Sequence, residues 1–412
     1  MSEATVTIEA MGRRGEGIAH HDGKTLFVAR TLPGESVRVA IDGGRAHLQE
    51  IVTPSPERIS PFCKHYDTCG GCQLQHWQED AYRAWKDGLV TYPQGLPDDP
   101  LKHINWTTTW TGADAHGSGR RRVSVHARRK GDRVTAGFMA PRSHALHDID
   151  RCPILVPALD RAFDISRTIA ATLGDCDVAL TATLGGLDAA VKAERKIVVQ
   201  EHAKLAALAS GLKLARLTVN NEVIVTASQP RVMMGKAEVA IPPGSFLQAT
   251  EEGEATLASV VLNVIGKSKR VADLFSGCGP FTFRLAEKAR VDAFDNDRAA
   301  IAALAAAVKN TPGLKPITAT VRDLFREPLV ANELKDYDAV VFDPPRAGAE
   351  AQAKQLAKSK VKTVIAVSCD PQTFARDAAI LISGGYRARF LGTVDQFKWS
   401  SHVEIVAGFV RD

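Results

Sequence analysis

Val271 to Ala286 reads VADLFSGCGPFTFRLA, and the fold turns on how this stretch is parsed. An apolar run of strand length ends at Phe275, the chain bends through Gly277 and Gly279, and a helix-like run follows. A strand passing through a glycine turn into a helix is the opening unit of a doubly wound parallel sheet. Gly277 and Gly279 permit the tight turn and let backbone approach a ligand. Asp295 ends the next strand-like run, where a carboxylate reaches ribose hydroxyls. A GxG with a distant acid suits nicotinamide nucleotides and S-adenosylmethionine alike. Thr282, however, stands where the dinucleotide fingerprint has its third glycine. That tilts the reading toward S-adenosylmethionine, which has no pyrophosphate to seat on the helix N-terminus.

Downstream, strand-like runs end at Phe275, Asp295, Asp323, Asp343 and Ser368, with helix-like segments between them. The Ala-rich RAAIAALAAAVKN from Arg298 to Asn310 is the clearest helix. This alternation predicts an α/β fold with a parallel sheet, and ligands of such sheets gather at the carboxyl ends of the strands. Asp323 lies where it would reach an adenine edge or, equally, cap a helix. Asp343-Pro344-Pro345-Arg346 forms a rigid extended lip suited to holding a flat base.

VKTVIAVSCDPQTFARD, Val361 to Asp377, places Cys369 where a buried strand opens into a loop. A lone thiol there is more often a packing residue. Beside the Pro-Pro lip it suggests chemistry at pyrimidine carbon 5, a poor nucleophile until a thiolate adds at carbon 6. A base must then remove the carbon 5 proton. Glu404, in DQFKWSSHVEIV, is the candidate, with His402 the alternative. The following helix N-terminus is expected to favour the Cys369 thiolate. No second cysteine follows Pro345, which favours uracil over cytosine, with Asp343 accepting from uracil N3–H. A base within folded RNA must be flipped out first.

Upstream, TVTIEA, KTLFVAR and SVRVAI are separated by turns at Gly12–Gly17, Pro33-Gly34 and Gly43-Gly44, the pattern of a small basic β-barrel. After a Pro-punctuated linker, Cys63, Cys69 and Cys72 form C-x5-C-x2-C, with Cys152 further on. Four thiolates close around zinc or an iron–sulfur cluster, and His65 and His76 are further candidate ligands. Spacing leaves the metal open. The basic run Arg120, Arg121, Arg122, Arg128, Arg129 and Lys130 is read as either a phosphate-contacting or a plain solvated face.

The chain has 412 residues, 45% of them hydrophobic, and a net charge of +5, an ordinary globular composition compatible with a polyanionic partner. Met1 to Ala10 has no apolar core behind a basic start, and no apolar run approaches the length of a membrane span. Seven cysteines argue against a disulfide framework. A cytoplasmic location, no membrane association and a monomer are expected.

Taken in order, GRRGEGIA, LPGE, the CGGC set, GSFLQAT, DLFSGCG, DPPRAG, SCDP and HVE resemble the RNA uracil-5-methyltransferases, most closely those acting on 23S ribosomal RNA. The resemblance covers nearly the whole chain. It implies a class I, Rossmann-like methyltransferase fold with a mostly parallel seven-stranded sheet, preceded by an OB-like TRAM barrel and a central α+β domain. The implied division is 1–55 for the barrel, 56–235 for the cysteine-bearing domain and 236–412 for the catalytic domain. It further implies a [4Fe-4S] cluster on Cys63, Cys69, Cys72 and Cys152, and S-adenosylmethionine as methyl donor. Gln248, Phe275, Asp295 and Asp343 match the family's cofactor and substrate contacts, and Asp323 matches less closely. Cys369 matches its nucleophile and Glu404 its proton acceptor. The runner-up substrate is the transfer-RNA T-loop, whose bacterial enzymes generally lack both the barrel and the cysteines. A non-catalytic RNA-binding protein or an amino-group methylase would not need Cys369 and Glu404 together. Departures from the family pattern are Thr250, Asp295, Asp370 and Lys398, where Asn, Glu, Asn and Pro are usual.

Overall fold

The computed structural model describes residues 2–42, 45–91, 106–141 and 143–412, and the predicted Gly43-Gly44 turn lies outside them. The chain divides into two compact units. One comprises residues 1–104, 139–144 and 397–403, and the other 105–138, 145–396 and 404–412.

In the first unit, β1 (Ser2–Thr7), β2 (Ala10–Met11), β3 (Glu16–His21), β4 (Lys24–Ala29), β5 (Ser36–Asp42) and β6 (Arg45–Thr53) form one sheet. Its order is β1-β5-β6-β4-β3-β2, and it wraps a core of Val6, Ile8, Leu26, Val28, Val37 and Val39. The LPGE motif has a structural reason. Glu35 is buried, accepts from Leu32 N at 2.8 Å and pairs with Arg58 at 2.5 Å, so its charge is fully answered. Helix α1 (Glu79–Thr91) sets Tyr82 against Trp399, ring centroids 5.2 Å apart. Lys398, where the family usually has proline, donates to Glu79 at 3.0 Å, a contact proline lacks.

The second unit holds two large sheets. The first contains β8 (Arg122–Lys130), β9 (Arg133–Met139), β10 (Leu146–Asp148), β11 (Cys176–Thr183), β12 (Gly186–Ala193), β13 (Leu214–Val219) and β14 (Glu222–Thr226), with α2 (Ala162–Leu173) and α3 (His202–Gly211). Three guanidiniums of its basic run are tied into the fold, while Arg129 and Lys130 are exposed. Arg121 is 3% exposed and ion-paired with Glu254, Arg122 donates to Ser245 O, and Arg128 binds Asp177. Those three guanidiniums therefore serve the fold rather than a solvated face.

A hairpin of β15 (Arg231–Met234) and β16 (Ala237–Ala240) leads to α4 (Glu251–Ile265), capped by Thr250 accepting from Gly253 N at 2.9 Å. The second sheet contains β7 (Thr108–Asp114), β17 (Arg270–Leu274), β18 (Arg290–Asp295), β19 (Ile317–Val321), β20 (Ala339–Phe342), β21 (Thr363–Ser368), β22 (Arg387–Asp395) and β23 (Glu404–Val410). Between them lie α5 (Thr282–Leu285), α6 (Arg298–Lys309), α7 (Glu350–Ala357) and α8 (Pro371–Ser383). The order is β19-β18-β17-β20-β21-β23-β22-β7, parallel throughout except that β23 runs antiparallel to both neighbours. Both faces are covered, which explains why β20, β21 and β23 read as unbroken apolar runs. Leu257 and Val261 of α4 pack with Val271, Val341 and Ile365, and Leu304 of α6 packs with Ala293 and Phe283. Each such burial is worth about 1.5–3 kcal/mol.

The resemblance implied seven strands in this sheet; among the described residues there are eight. The extra strand, β7, comes from residues expected in the central domain and pairs in parallel with β22, covering what would otherwise be an exposed edge.

Candidate active site

The parallel strands end together, and the loops that follow them carry the predicted residues. After β17 the chain turns at Phe275, whose φ of 61° is unusual for a bulky side chain and marks a constrained site. Phe275 packs against Phe325, centroids 5.3 Å apart. At Gly279, φ is 98° and an added Cβ would lie 2.9 Å from the Phe283 ring, so only glycine fits. Asp295 braces this loop: Oδ2 accepts from Gly277 N and Oδ1 from Asp297 N, both at 2.8 Å. Thr282, the residue in the missing-glycine position, donates to buried Asp273 at 2.5 Å. Asp273 is nonetheless pushed up to about 7, by burial first and then by the charges of Asp343 and Asp295. Its Oδ1 and the Ser276 hydroxyl are buried without a partner. Unanswered polar atoms beneath a glycine turn fit a polar ligand such as S-adenosylmethionine. Asp323 Oδ1 accepts from Phe325 N at 3.0 Å and Arg326 N at 3.3 Å, a local cap.

The other half of the site follows from strand direction. Because β23 is antiparallel to β21, its first residue lies at the end where β21 finishes. Ser368 pairs with Ile405, so the next residues, Cys369 and Glu404, are brought side by side. Glu404 is 4% exposed; Cys369 is half-buried. Asp343, at the end of β20, accepts from Gln248 Nε2 at 2.9 Å. Gln396 Nε2 donates to Gln248 Oε1 at 2.6 Å.

Burial raises the pKa of every acid here. Asp343 is pushed up to about 7 by burial, against the opposing hydrogen bond from Gln248. Glu404 is held well above its usual range by burial and then by the Asp343 charge, with the Gln396 hydrogen bond opposing. The Cys369 thiol is pushed up to about 11 by burial, then by Glu404 and Asp343, while Arg346 pulls it down. This corrects the expectation that the α8 N-terminus favours the thiolate. The first free amides of α8, Gln372 N and Thr373 N, are taken by Asp370 at 2.9 and 3.1 Å, leaving Arg346 as the nearby positive influence. Asp370 thus does the capping for which the family usually has Asn.

The structure therefore brings Gln248, Asp343, Cys369 and Glu404 together, and sets Phe275, Gly277, Gly279 and Asp295 in the neighbouring glycine turn. His402, the alternative base, belongs to the first unit. Sequence reasoning missed Gln396, which no motif announces, and the 70% exposed Phe246, two residues before Gln248. Cys63, Cys69 and Cys72 share one loop of the first unit, where Gly71 N donates to Cys69 Sγ at 3.3 Å; Cys152 belongs to the second. His76 is buried against Tyr66, at 2.5 Å from its hydroxyl. Among the described residues, no three His, Cys, Asp or Glu side chains are gathered as a metal site. Nor is any helix among them long and apolar enough to cross a membrane.

The tRNA (uracil-5-)-methyltransferase family model matches residues 213–410, and a TRAM domain matches residues 2–47. An uncharacterized RNA methyltransferase of Brucella melitensis is 46% identical over 98% of this chain and 96% of its own. The chain belongs to the tRNA (uracil-5-)-methyltransferase family. Another relative is the 23S rRNA (uracil(1939)-C(5))-methyltransferase RlmD of Halomonas elongata, 32% identical over 97% of this chain and 88% of its own. Among solved structures, the tRNA (uracil-54, C5)-methyltransferase of Pyrococcus abyssi, in complex with S-adenosyl-L-homocysteine, superposes with a TM-score of 0.75. It covers 98% of this chain and 99% of its own at 22% identity, so it supports the uracil-5-methyltransferase family's fold alone. Membership makes this chain an RNA methyltransferase with the class I fold that its motifs predicted.

Proposed function

We propose that this enzyme methylates carbon 5 of one uridine in 23S ribosomal RNA, in the cytoplasm. The observation that carries the reading is the meeting of Cys369 with Glu404 beside Asp343. S-adenosylmethionine, held by Phe275, Gly277, Gly279 and Asp295, supplies an electrophilic methyl group. Cys369 loses its proton to solvent and bonds carbon 6, so the carbon 5–carbon 6 double bond becomes an enolate nucleophilic at carbon 5. Once carbon 5 carries the methyl, Glu404 takes its remaining proton, the double bond re-forms and the carbon–sulfur bond breaks. Arg346 opposes the charges that hold the thiol protonated.

Ribosomal RNA is favoured by the RlmD relative and by the barrel and cysteines together. Transfer RNA is the second reading, favoured by the tRNA (uracil-5-)-methyltransferase family model that matches residues 213–410. Mapping 5-methyluridine in both RNAs from a deletion strain decides between them: loss from 23S RNA alone supports the first, and loss from the T-loop overturns it. Trapping with 5-fluorouridine-substituted RNA tests the chemistry. The fluorine at carbon 5 is not removable as a proton, so a denaturant-stable adduct is expected, and its absence from active enzyme would sink the Cys369 assignment.

The family resemblance implies a [4Fe-4S] cluster on Cys63, Cys69, Cys72 and Cys152, whose spacing alone suits zinc as well; the Gly71 amide at Cys69 is compatible with either. No catalytic step uses the cluster. Iron and acid-labile sulfide analysis of anaerobically purified protein tests it, and zinc in their place would overturn it.

A further inference from the structure

The amide of Gln396 is fully buried at the point where the substrate-facing and proton-accepting groups meet. A main-chain N–H only donates, so the Gln396 atom that meets Ala249 N at 2.7 Å must be the oxygen Oε1. The other end of the amide is therefore NH2. It donates to Gln248 Oε1 at 2.6 Å, and the same side chain opposes the rise in the Glu404 pKa. With its own oxygen taken, Gln248 turns its NH2 to Asp343 Oδ2 at 2.9 Å. One backbone N–H thus sets the direction of every hydrogen bond along the relay, through two amides to the Asp343 carboxyl.

That direction has a consequence for base choice. Gln248 Nε2 keeps a second proton and Asp343 keeps a second oxygen, so the pair offers a donor beside an acceptor. Uracil presents the complement, the O4 acceptor beside the N3–H donor. Cytosine presents the reverse, an N4 donor beside the N3 acceptor. A flipped Gln248 amide would erase the difference.

We propose that Gln396 is a positioning residue that locks the Gln248 amide in the orientation that selects uracil over cytosine. The proposal rests on the reading that Gln248 and Asp343 face the target base. A second feature is built around the same side chain. Gly253 occupies the first turn of α4, where glycine weakens a helix. A Cβ there would lie 2.7 Å from Gln396 Cβ and 2.9 Å from its Oε1, and 2.8 Å from the capping Thr250 Oγ1. The helix gives up a side chain so that this amide can sit against Ala249.

Two variants test it in the full-length enzyme. Gln396→Met keeps the volume and removes the amide. Gly253→Ala leaves every hydrogen-bonding group in place and pushes Gln396 aside. With 23S RNA transcripts carrying uridine or cytidine at the mapped target, Gln396→Met is expected to lower kcat/KM for uridine about 10²-fold and to narrow the uridine-to-cytidine ratio at least about 10-fold. The rising limb of its pH profile should move up by about one unit, because Glu404 loses a donor. Affinity for S-adenosylmethionine and the melting temperature should stay near wild type, which reports a folded site. Gly253→Ala should shift base ratio and pH profile in the same direction, by less. Wild-type base ratio and pH profile in Gln396→Met, in enzyme that still traps 5-fluorouridine RNA, would overturn the proposal. Failure of the wild-type enzyme to trap that RNA strikes instead at the uracil-methylation reading on which the proposal rests.

Discussion

At the carboxyl edge of the catalytic sheet, Asp295 contrasts with the pair Asp343 and Glu404. In the turn after β17 and β18, Asp295 has a main-chain N–H on each oxygen before any ligand arrives. At the ends of β20 and β23, Asp343 and Glu404 are buried together with side-chain amide partners, and both are held protonated more than ordinary carboxyls. Around Asp295 the first half is pre-set by main-chain hydrogen bonds, although Asp273 beneath it is buried and raised as well. The second stores unfavourable electrostatics that only a reaction gives reason to keep. The contrast separates binding from chemistry, and each prediction below either breaks that separation or sharpens it.

The largest effect belongs to Cys369→Ala. Methylation should fall by at least about 10³-fold, since a covalent step loses its nucleophile. S-adenosylmethionine affinity, measured by calorimetry, should be unchanged; a joint loss of both would merge the two halves. Glu404→Gln should lower turnover about 10²–10⁴-fold while leaving carbon 6 addition intact, so the covalent RNA adduct should accumulate with ordinary uridine on denaturing gels. In the wild type, both Cys369 and Glu404 must lose protons that burial makes them hold. Single-turnover rates should therefore rise from about pH 6 to about pH 9. A rate that falls over that range would contradict the assignment of Glu404.

Stability should also show the contrast. Asp343 titrates near 3.8 when unfolded and near 7 when folded. Between those values the folded chain holds a proton that the unfolded chain has released. Its contribution is thus fully present below about pH 4 and is lost as the pH rises through about 7, on the order of a few kcal/mol. Asp343→Asn removes that loss. The wild-type denaturation midpoint should drop more steeply than the variant's between about pH 5 and about pH 8. In the glycine turn, Asp295→Ala orphans two main-chain donors and should weaken S-adenosylmethionine binding about 10–100-fold, without creating a new pH dependence of stability.

Much of this was legible in the sequence because it depends on local rules. Glycine turns, strand-length apolar runs and an N-capping Asp370 are each specified within a few residues, and the strand ends fell within two residues of expectation. What was not legible depends on partners distant in the chain. β7 joins the sheet beside β22, some 280 residues away. The Arg121–Glu254 pair internalises part of a run whose charges looked solvated. Gln396 gains meaning only from Ala249 and Gln248, about 150 residues upstream. Even at Cys369 the motif named the nucleophile and misjudged its proton, because the neighbouring acids arrive on other strands.

The smallest expected effect tests where the cofactor half stops. Asp323 was predicted either to touch adenine or to cap a turn, and it caps Phe325 and Arg326, with Arg326 Nε 3.7 Å away. Loss of such a cap costs about 0.5–2 kcal/mol. It would loosen the loop that presents Phe325 to Phe275. Asp323→Ala should therefore weaken S-adenosylmethionine binding only a few-fold, through the displaced ring. Asp323→Asn keeps a side-chain oxygen for the cap and removes the charge, so it should bind nearly as well as wild type. Should Asn weaken binding as much as Ala, the carboxylate charge itself would be contacting the ligand, and the binding half would extend past β18 to the end of β19.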